Sequence, residues 1–329
     1  MRRNNNGITR GAASRSRRGF TLVELIVTLV LLSVVMGALM SVLARQQRFY
    51  RSTADIIDAR NQVRQAIELL PADLRVISSS DTRNGTDFYV ATDKAIEFRA
   101  ITGSSVVCIT SISTKITLPP VNLSSGANVT MWSPAPKNTD SVLVYDDSAM
   151  VGNADDHWDA YGISSVDSLA PGAGGSCPLT SLFVRAADET AGRLSYRLNL
   201  PNTMSATILP GAPIRIFHTR RYELYQPSAS SGWYLGICEY QSPCTTLSPV
   251  SGPYAAYSTT AGSSGISFTY FDSTGTQFTP AATTADRARI WRIRLRARAD
   301  TRSGVTTTGT SLTTVRDSVS LDVTLRNRR

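Results

Sequence analysis

The stretch that decides the fold runs from residue 17 to residue 43 and reads RRGFTLVELIVTLVLLSVVMGALMSVL. Residues 25–43 are nineteen in succession without a charge, and residues 20–23 extend the apolar run on the other side of Glu24. At about 1.5 Å per helical residue, such a run can cross a hydrocarbon layer of about 30 Å. The sequence therefore predicts a membrane-spanning helix near the N-terminus.

The charges around this run predict its orientation in the lipid bilayer. Residues 1–19 contain six arginines and no acidic residue. The positive-inside rule keeps such a segment in the cytoplasm and sends the C-terminal bulk of the chain out of it. Arg45, Arg48 and Arg51 follow the apolar run and weaken this bias without reversing it. We expect a single pass through the membrane with a cytoplasmic N-terminus.

The composition excludes several classes of protein. The chain has 329 residues, of which 42% are apolar and 18% charged, so it is not collagen-like, a coiled coil or a highly charged disordered chain. The net charge is +9, but residues 20–329 hold 28 basic and 25 acidic groups and carry only +3. Only three of the 34 basic residues are lysines, so arginine clusters are weak evidence for phosphate binding. The length fits one large or two modest domains.

The position of Gly19 does not fit an ordinary secretory signal. Such a signal places a small-residue cleavage site after its apolar region, and none follows Leu43. Gly19 instead precedes the apolar region, in the stretch RRGFTLVEL at residues 17–25. This stretch resembles the cleavage and methylation site of type IV prepilins and of the related pseudopilins of type II secretion. The resemblance implies that a prepilin peptidase and methyltransferase cuts between Gly19 and Phe20 and then N-methylates Phe20.

Glu24 is the one charge inside the predicted membrane helix. A carboxylate there costs about 2.5 kcal/mol or more and is normally paired or functional. One alternative is that it lies near the helix end and reaches the lipid headgroups. The resemblance implies that Glu24 acts in assembly, by meeting the cationic amine of Phe20 on a neighbouring subunit. Because a paired carboxylate is neutralised, transfer into a filament is then favoured over isolation in lipid.

The helical pattern continues beyond the membrane. Apolar residues recur on one stripe of an amphipathic helix that can cover a sheet: Phe49, Ile56, Val63, Ile67, Leu70 and Leu74. A dimeric coiled coil is the competing interpretation, but Thr53 and Arg60 leave its second seam unfilled. Pro71 is expected to kink or end the helix after Leu70.

From Arg75 onward the pattern is one of strands and turns. Strands are predicted at 87–99 and 106–118, each as a pair, and at 141–145, 181–185, 193–198, 213–226, 232–240, 266–271, 288–298 and 318–325, with long loops at 146–175 and 245–265. This order predicts an α+β, pilin-like fold, with a long N-terminal helix packed on a large antiparallel β-rich globular domain. The predicted parts are a basic leader that is removed (1–19), the transmembrane and filament-core half of the helix (20–44), its amphipathic half (45–75) and an extracytoplasmic globular domain (76–329).

Two further stretches look like the PilW/PulJ-type minor pilins. They are QVRQAIELLPADLR at residues 62–75, which ends in the triplet Asp73-Leu74-Arg75, and VSLDVTLRNR at residues 319–328. Pro71 departs from that pattern. The resemblance implies a minor subunit of a type IV pilus, at the tip or in an initiating complex, with a pseudopilin tip subunit as the alternative. The implied partners are other minor and major pilins and the assembly platform of the bacterial inner membrane, from which the protein passes to the cell surface.

All four cysteines lie on the predicted outer side. An even number in an exported domain favours disulfides, with three possible connectivities. We favour Cys238 with Cys244, because they close a short loop between a strand and Pro243, which leaves Cys108 with Cys177. The alternative is that some of the cysteines are free and buried.

Residues typical of enzymes are scarce. The only histidines are His157 and His218, and the common hydrolase, metalloprotease and nucleotide-binding motifs do not occur. His218 falls in an alternating strand, where a structural imidazole is the simpler explanation. We therefore expect a protein that is not an enzyme and needs no cofactor, with calcium as the one candidate ion.

That candidate rests on an acidic loop, NADDHWD at residues 153–159. Carboxylates of Asp155, Asp156 and Asp159 are the hard oxygen ligands that Ca²⁺ prefers. A solvated acidic turn is the alternative, because at least six oxygens must converge on the ion and only three acids are local.

Arginines alternate with apolar residues near the C-terminus. If residues 288–298 form a strand, Trp291, Ile293, Leu295 and Ala297 face one side and Arg292, Arg294, Arg296 and Arg298 the other. Such a stripe can bind the phosphates of nucleic acid, which makes a displayed DNA-binding or adhesive module the third functional candidate. The alternatives are a solvent face, a charged sheet edge, or cross-strand pairing with Asp317 and Asp322.

Overall fold

A computed structural model describes residues 19–75, 77, 86–148, 156–240, 243–260, 262–280, 283–301 and 313–325. The chain divides into two compact units, Met1–Ala54 and Asp55–Arg329. One long helix, α1 (Leu22–Leu74), runs from the first unit into the second. The second unit otherwise consists of antiparallel strands and two short α-helices, so the predicted α+β class is confirmed.

In the first unit, α1 is apolar on every side. The large apolar side chains between Leu25 and Leu43 are 49–65% exposed, although a soluble helix would hide one face. Hydroxyl groups within this stretch donate to backbone carbonyls one turn earlier, as Thr28 does to Leu25 and Ser33 to Val30. The polar groups of the stretch are therefore satisfied inside the helix, as a lipid environment requires.

In the second unit, α1 buries one stripe. Ala59, Val63, Ala66, Leu70 and Leu74 are spaced by three or four residues and are 0–4% exposed. They pack into a core with side chains of the first and second sheets described below. The predicted stripe is thus confirmed from Val63 onward, whereas Phe49, in the first unit, is 68% exposed.

The expectation that the helix ends at Leu70 is wrong, because α1 continues through Pro71 to Leu74. Proline lacks the N–H that would bond to the carbonyl four residues earlier, at a cost of about 3 kcal/mol. Burial and one hydrogen bond favour the helix here. The Pro71 ring is buried, Leu70 and Leu74 are fully buried on either side of it, and the Pro71 carbonyl accepts the N–H of Arg75 at 3.1 Å.

The strands follow the chain in sixteen segments, with helices at Leu179–Ser181 (3-10), Ala186–Thr190 (α2) and Thr284–Ala288 (α3). The strands are β1 (Phe88–Ala91), β2 (Ala95–Val106), β3 (Ile109–Ile112), β4 (Lys115–Leu118), β5 (Met131–Trp132), β6 (Ser141–Asp146), β7 (His157–Gly162), β8 (Ser165–Leu169), β9 (Ser195–Asn199), β10 (Pro213–Tyr225), β11 (Trp233–Glu239), β12 (Ser248–Tyr254), β13 (Ile266–Phe271), β14 (Gln277–Phe278), β15 (Arg292–Asp300) and β16 (Arg316–Thr324).

These strands form three antiparallel sheets. The first has the order β1-β2-β10-β11-β12, with β5 on β2, β6 on β10 and β7 on β6. The second is β14-β13-β15-β16 and the third β3-β4-β9-β8. The long strand β10 links two cores, because its Tyr222 and Leu224 pack with the α1 stripe, whereas Ile214 and Ile216 pack with β4, β6 and β9. We refer to these as the helix core and the distal core.

Three sequence predictions about strands are wrong. Residues 181–185 are not a strand, since the 3-10 helix and the loop before α2 occupy this region. The predicted loop 146–175 contains β7 and β8, and the predicted loop 245–265 contains β12. In these strands Asp, Ser, Gly and Pro stand where β-branched residues are typical, and pairing with neighbouring strands overrides their weak local preference.

Candidate functional site

The residues that carry the predicted processing and assembly site lie at the start of α1. Gly19, Phe20 and Thr21 precede the first helical residue, Leu22. No atom of the described chain lies within 4 Å of the position that a Cβ on Gly19 would take, and Phe20 is 79% exposed. The bond between Gly19 and Phe20 is thus accessible on the described side, while residues 1–18 fall outside the described part.

Thr21 caps the helix in front of Glu24. Its hydroxyl accepts the backbone N–H of Glu24 at 3.2 Å, and its carbonyl accepts the N–H of Leu25 at 3.2 Å. Glu24 is therefore the third helical residue, and the spacing Thr21-x-x-Glu24 is that of a capping box. An acidic side chain in the first turn also interacts favourably with the helix dipole. Capping by Thr21 was not predicted from the sequence, although the spacing contains its signal.

The helix behind Glu24 is apolar enough to span a membrane. Its most apolar window of 18 residues has a mean hydropathy of 2.6 and no buried residue in this chain. Such a surface needs lipid or other helices around it. Length and composition are therefore those of a membrane anchor.

The triplet Asp73-Leu74-Arg75 ends α1 at a half-buried polar contact with the first sheet. The Asp73 carboxylate accepts hydrogen bonds from the Arg220 guanidinium at 2.6 Å and from the Tyr222 hydroxyl at 2.8 Å. Arg220 also pairs with Glu239 at 2.6 Å. Burial and the neighbouring Asp73 carboxylate raise the pKa of Tyr222 well above its ordinary range. The acidic residue of the triplet therefore attaches the helix end to β10.

A second attachment lies three turns earlier. The Tyr254 hydroxyl, at the end of β12, donates to the carbonyl of Gln62 at 2.8 Å. Burial raises the pKa of Tyr254 to about 12, so the donor stays protonated at neutral pH. Two tyrosines on different strands thus hold the second-unit part of α1, and no motif in the sequence identifies either one.

Both disulfides join the cysteines that the sequence analysis favours. Cys108 and Cys177 have Cα atoms 5.5 Å apart and close a long loop, whereas Cys238 and Cys244 have Cα atoms 6.1 Å apart and lie six residues apart. Cys108 and Cys177 are 0% and 3% exposed. The first disulfide therefore lies in the interior and the second staples the turn after β11.

The predicted alternation of apolar residues and arginines is observed on β15, and most of its arginines form ion pairs. Ile293, Leu295 and Ala297 are fully buried in the helix core. On the other face, Arg292 and Arg294 lie 2.9 Å and 2.7 Å from Asp322 on β16, which stands directly across from Arg294. Cross-strand pairing thus occupies the first half of this stripe.

The second half of the stripe has different partners. Arg298 lies 3.4 Å from Asp300 and donates to the carbonyl of Ser263, while Arg296 approaches the backbone at Gly262. Asp317, the other acid proposed for cross-strand pairing, lies 3.6 Å from Arg60 on α1. Most arginines of the stripe therefore pair with acidic residues of their own sheet and are not free to bind phosphates.

The acids proposed for calcium do not converge as expected. Asp156 and Asp159 lie on opposite sides of the sheet, because the Asp156 carboxylate accepts the Tyr145 hydroxyl at 2.7 Å on one face while Asp159 lies beside His157 on the other. Asp155 lies outside the described residues. Asp159 is instead close to Asp146, which the sequence analysis did not consider.

His218 lies in a buried polar cluster on β10. Its Nδ1 is 3.6 Å from Asp140 and its Nε2 is 3.4 Å from Glu239, and the Tyr240 ring lies over it at 4.1 Å. Through Glu239 and Arg220 this cluster is continuous with the contact at Asp73. The surroundings are those of a structural imidazole.

Comparison with known proteins found one family match. Residues 14–40 match the prokaryotic N-terminal methylation motif, a range that contains Gly19, Phe20 and Glu24. No curated protein and no solved structure matches the chain. The chain therefore carries a prokaryotic N-terminal methylation motif at the head of an apolar helix, which supports its place in the type IV pilin and pseudopilin class.

Proposed function

We propose that the protein is a minor subunit of a type IV pilus or a related filament, and that it acts in filament initiation at the tip. The observation that carries this proposal is the methylation motif joined to a helix whose most apolar window has no buried residue in the described part of the chain. Members of the class are structural subunits, so the proposed action is assembly and not catalysis.

The proposed sequence of events uses only the N-terminal segment. Prepilin peptidase removes the leader after Gly19, and methylation of Phe20 leaves its new amine cationic. The helix then holds the subunit in the inner membrane until neighbouring pilins replace lipid around it. In the growing filament the Glu24 carboxylate meets the Phe20 amine of another subunit, which removes the cost of a lone charge in lipid.

The proposed tip position is based on the size of the globular part of the chain. The described residues after α1 form three sheets, which build the distal core and, together with α1, the helix core. A repeating subunit must fit between neighbours on every side, whereas a terminal subunit has free space above it. A large, internally cross-linked outer domain is therefore suited to the end of a filament, in contact with other minor pilins and the assembly platform.

The test begins with the N-terminus. Intact-mass and N-terminal analysis of the membrane-extracted protein, from cells with and without prepilin peptidase, should find a chain that begins at methylated Phe20 only when the peptidase is present. A chain that begins at Met1, or one cut after the apolar run, would contradict the proposal. Cross-linking to major pilins at filament ends, compared with cross-linking to secretion pseudopilins, would then distinguish the pilus from the type II secretion alternative.

A displayed DNA-binding module has weaker support. Its basis is the arginine stripe, and Asp322 pairs with two of the four guanidinium groups, those of Arg292 and Arg294. If the full chain binds DNA and the binding survives the double variant Arg294→Glu and Arg296→Glu, the stripe has no role in that binding.

A further inference from the structure

Strand pairing brings Asp146, His157 and Asp159 to one face of the first sheet. In the antiparallel pair of β6 and β7, Asp146 lies opposite His157 and Val144 lies opposite Asp159. Because alternate residues of a strand point to the same side, His157 and Asp159 share the face of Asp146. The residues of the opposite face, Tyr145 and Trp158, form an edge-to-face ring pair.

This face belongs to the distal core. Val142 and Val144 precede Asp146 on it and are fully buried. Asp146 is 1% exposed and Asp159 is 8% exposed. Within the part of the chain that the structure describes, no lysine or arginine forms an ion pair with either carboxylate. His157 is the basic side chain within ion-pair distance of both, and two carboxylates removed from water cost several kcal/mol unless a positive charge lies beside them.

The three side chains converge to the separation that a metal ion needs. One ligand atom from each lies within 4.8 Å of the other two. His157 Nε2 is 3.4 Å from Asp159 Oδ1 and 3.8 Å from Asp146 Oδ2. With bonds of about 2.0–2.1 Å, tetrahedral zinc places two of its ligand atoms about 3.4 Å apart. Small side-chain shifts therefore suffice to bring all three atoms onto one ion.

Neighbouring groups hold both carboxylates in place. The Thr207 hydroxyl donates to Asp146 Oδ2 at 2.7 Å, and the Tyr161 hydroxyl donates to Asp159 Oδ2 at 3.3 Å. Tyr161 in turn accepts the backbone N–H of Ser205 at 3.2 Å. Partners of this kind orient metal ligands in proteins. They also connect β6 and β7 to the segment 204–208 that covers the distal core.

The types of ligand atom indicate which class of metal ion the site suits. Calcium takes six to eight oxygen ligands, whereas one imidazole nitrogen with two carboxylate oxygens suits zinc and similar transition metals. Three protein ligands leave a position for water or for a group from a partner. We propose that Asp146, His157 and Asp159 bind one divalent transition-metal ion, with zinc as the first candidate, and that this ion fastens β6 and β7 to the segment 204–208.

The test uses the full chain in detergent after treatment with a chelator. Calorimetric titration with zinc should give one ion per chain and a higher melting temperature. Cobalt in place of zinc should give the visible absorption of a tetrahedral site. The ligand variants Asp159→Asn and His157→Gln should each weaken binding by about tenfold or more, since even the loss of an orienting partner costs 10–100-fold. Asp167→Asn is the matched control, because that carboxylate is 39% exposed and pairs with Arg197.

A second measurement does not depend on the folding of any variant. In the wild-type chain, zinc should shift the nitrogen resonance of His157 Nε2 and leave that of His218 unchanged. Absence of zinc binding, binding that both ligand variants retain, or an unchanged His157 resonance would each overturn the proposal. A melting temperature that calcium raises and zinc does not would overturn the assignment to a transition metal.

Discussion

The first-unit and second-unit parts of α1 differ in how their apolar side chains are exposed. In the first unit the large apolar side chains are exposed on every side, while in the second unit a narrow stripe of Ala59, Val63, Ala66, Leu70 and Leu74 is almost fully buried. The buried stripe packs on the protein's own sheets, whereas the exposed stretch needs lipid or other helices around it. One helix thus contains an internal packing element and an external element.

The largest expected effect concerns the external element. Glu24→Ala removes the charge and the capping spacing, while Glu24→Gln keeps the spacing and removes only the charge. If the charge drives assembly, both variants should reach the membrane and enter filaments less efficiently. About 2.5 kcal/mol for a lone carboxylate corresponds to a factor on the order of fifty. Quantitative immunoblots of sheared filaments and of membranes measure this ratio.

Glu68→Gln, on the exposed side of α1 in the second unit, is the matched control and should assemble normally. Normal assembly of Glu24→Gln together with failure of Glu24→Ala would assign Glu24 to helix capping alone. Normal assembly of both would remove Glu24 from the mechanism.

Inside the second unit, the two disulfides should differ in their contribution to stability. Cross-linking restricts the unfolded chain more when the closed loop is longer, and the loops here span 69 and 6 residues. The chain-entropy model gives about 4 kcal/mol for the first and about 2 kcal/mol for the second. Thermal unfolding of the paired Cys→Ser variants should therefore show the larger fall in melting temperature for Cys108 with Cys177. Equal falls would mean that loop length does not determine their effect.

The contrast between the two parts of α1 can be tested with a single type of substitution. Leu70→Ala opens a cavity in the helix core and should cost about 3 kcal/mol of unfolding free energy. Leu31 is 61% exposed, so Leu31→Ala should leave the unfolding of the second unit unchanged. Denaturant unfolding, followed by the fluorescence of the tryptophans, which all lie in the second unit, measures both. Equal effects of the two substitutions would show that the two parts of the helix are not independent.

The polar end of α1 should contribute less. Tyr222→Phe removes the hydroxyl that donates to Asp73 and keeps the ring in the helix core, so we expect a loss of about 1 kcal/mol. Tyr234→Phe, on a half-buried ring of β11 whose hydroxyl forms no hydrogen bond within the described residues, is a control for the change in side chain. An effect of Tyr222→Phe no larger than that of the control would remove the proposed attachment of the triplet to β10.

The sequence predicts the external element better than the internal one. Gly19, Phe20 and Glu24 lie within six residues of one another, and the nineteen uncharged residues follow directly. A pattern in consecutive residues is therefore enough to predict this element. The Asp73–Arg220–Tyr222 contact and the Asp146–His157–Asp159 cluster join residues that strand pairing alone brings together. Their donors have no local signature, and the strand His157–Gly162 lacks the β-branched residues that mark a strand. The long-range parts of the fold therefore had to be observed.

The smallest expected effect tests whether the arginine stripe serves the sheet. The hydrogen bond from Arg294 holds the pKa of the Asp322 carboxyl below its ordinary value of 3.8. Since folding lowers this pKa, the stabilisation is complete above about pH 4 and is lost as the pH falls through the folded-state value. Arg294→Gln should lower the melting temperature slightly near neutral pH and reduce its fall on acidification. Arg296→Gln on the same strand is the control, because Arg296 forms no ion pair within the described residues, and it should behave as wild type. If both substitutions instead lower DNA binding and neither changes the acid response, the stripe serves an external ligand, and the second unit has an external element of its own.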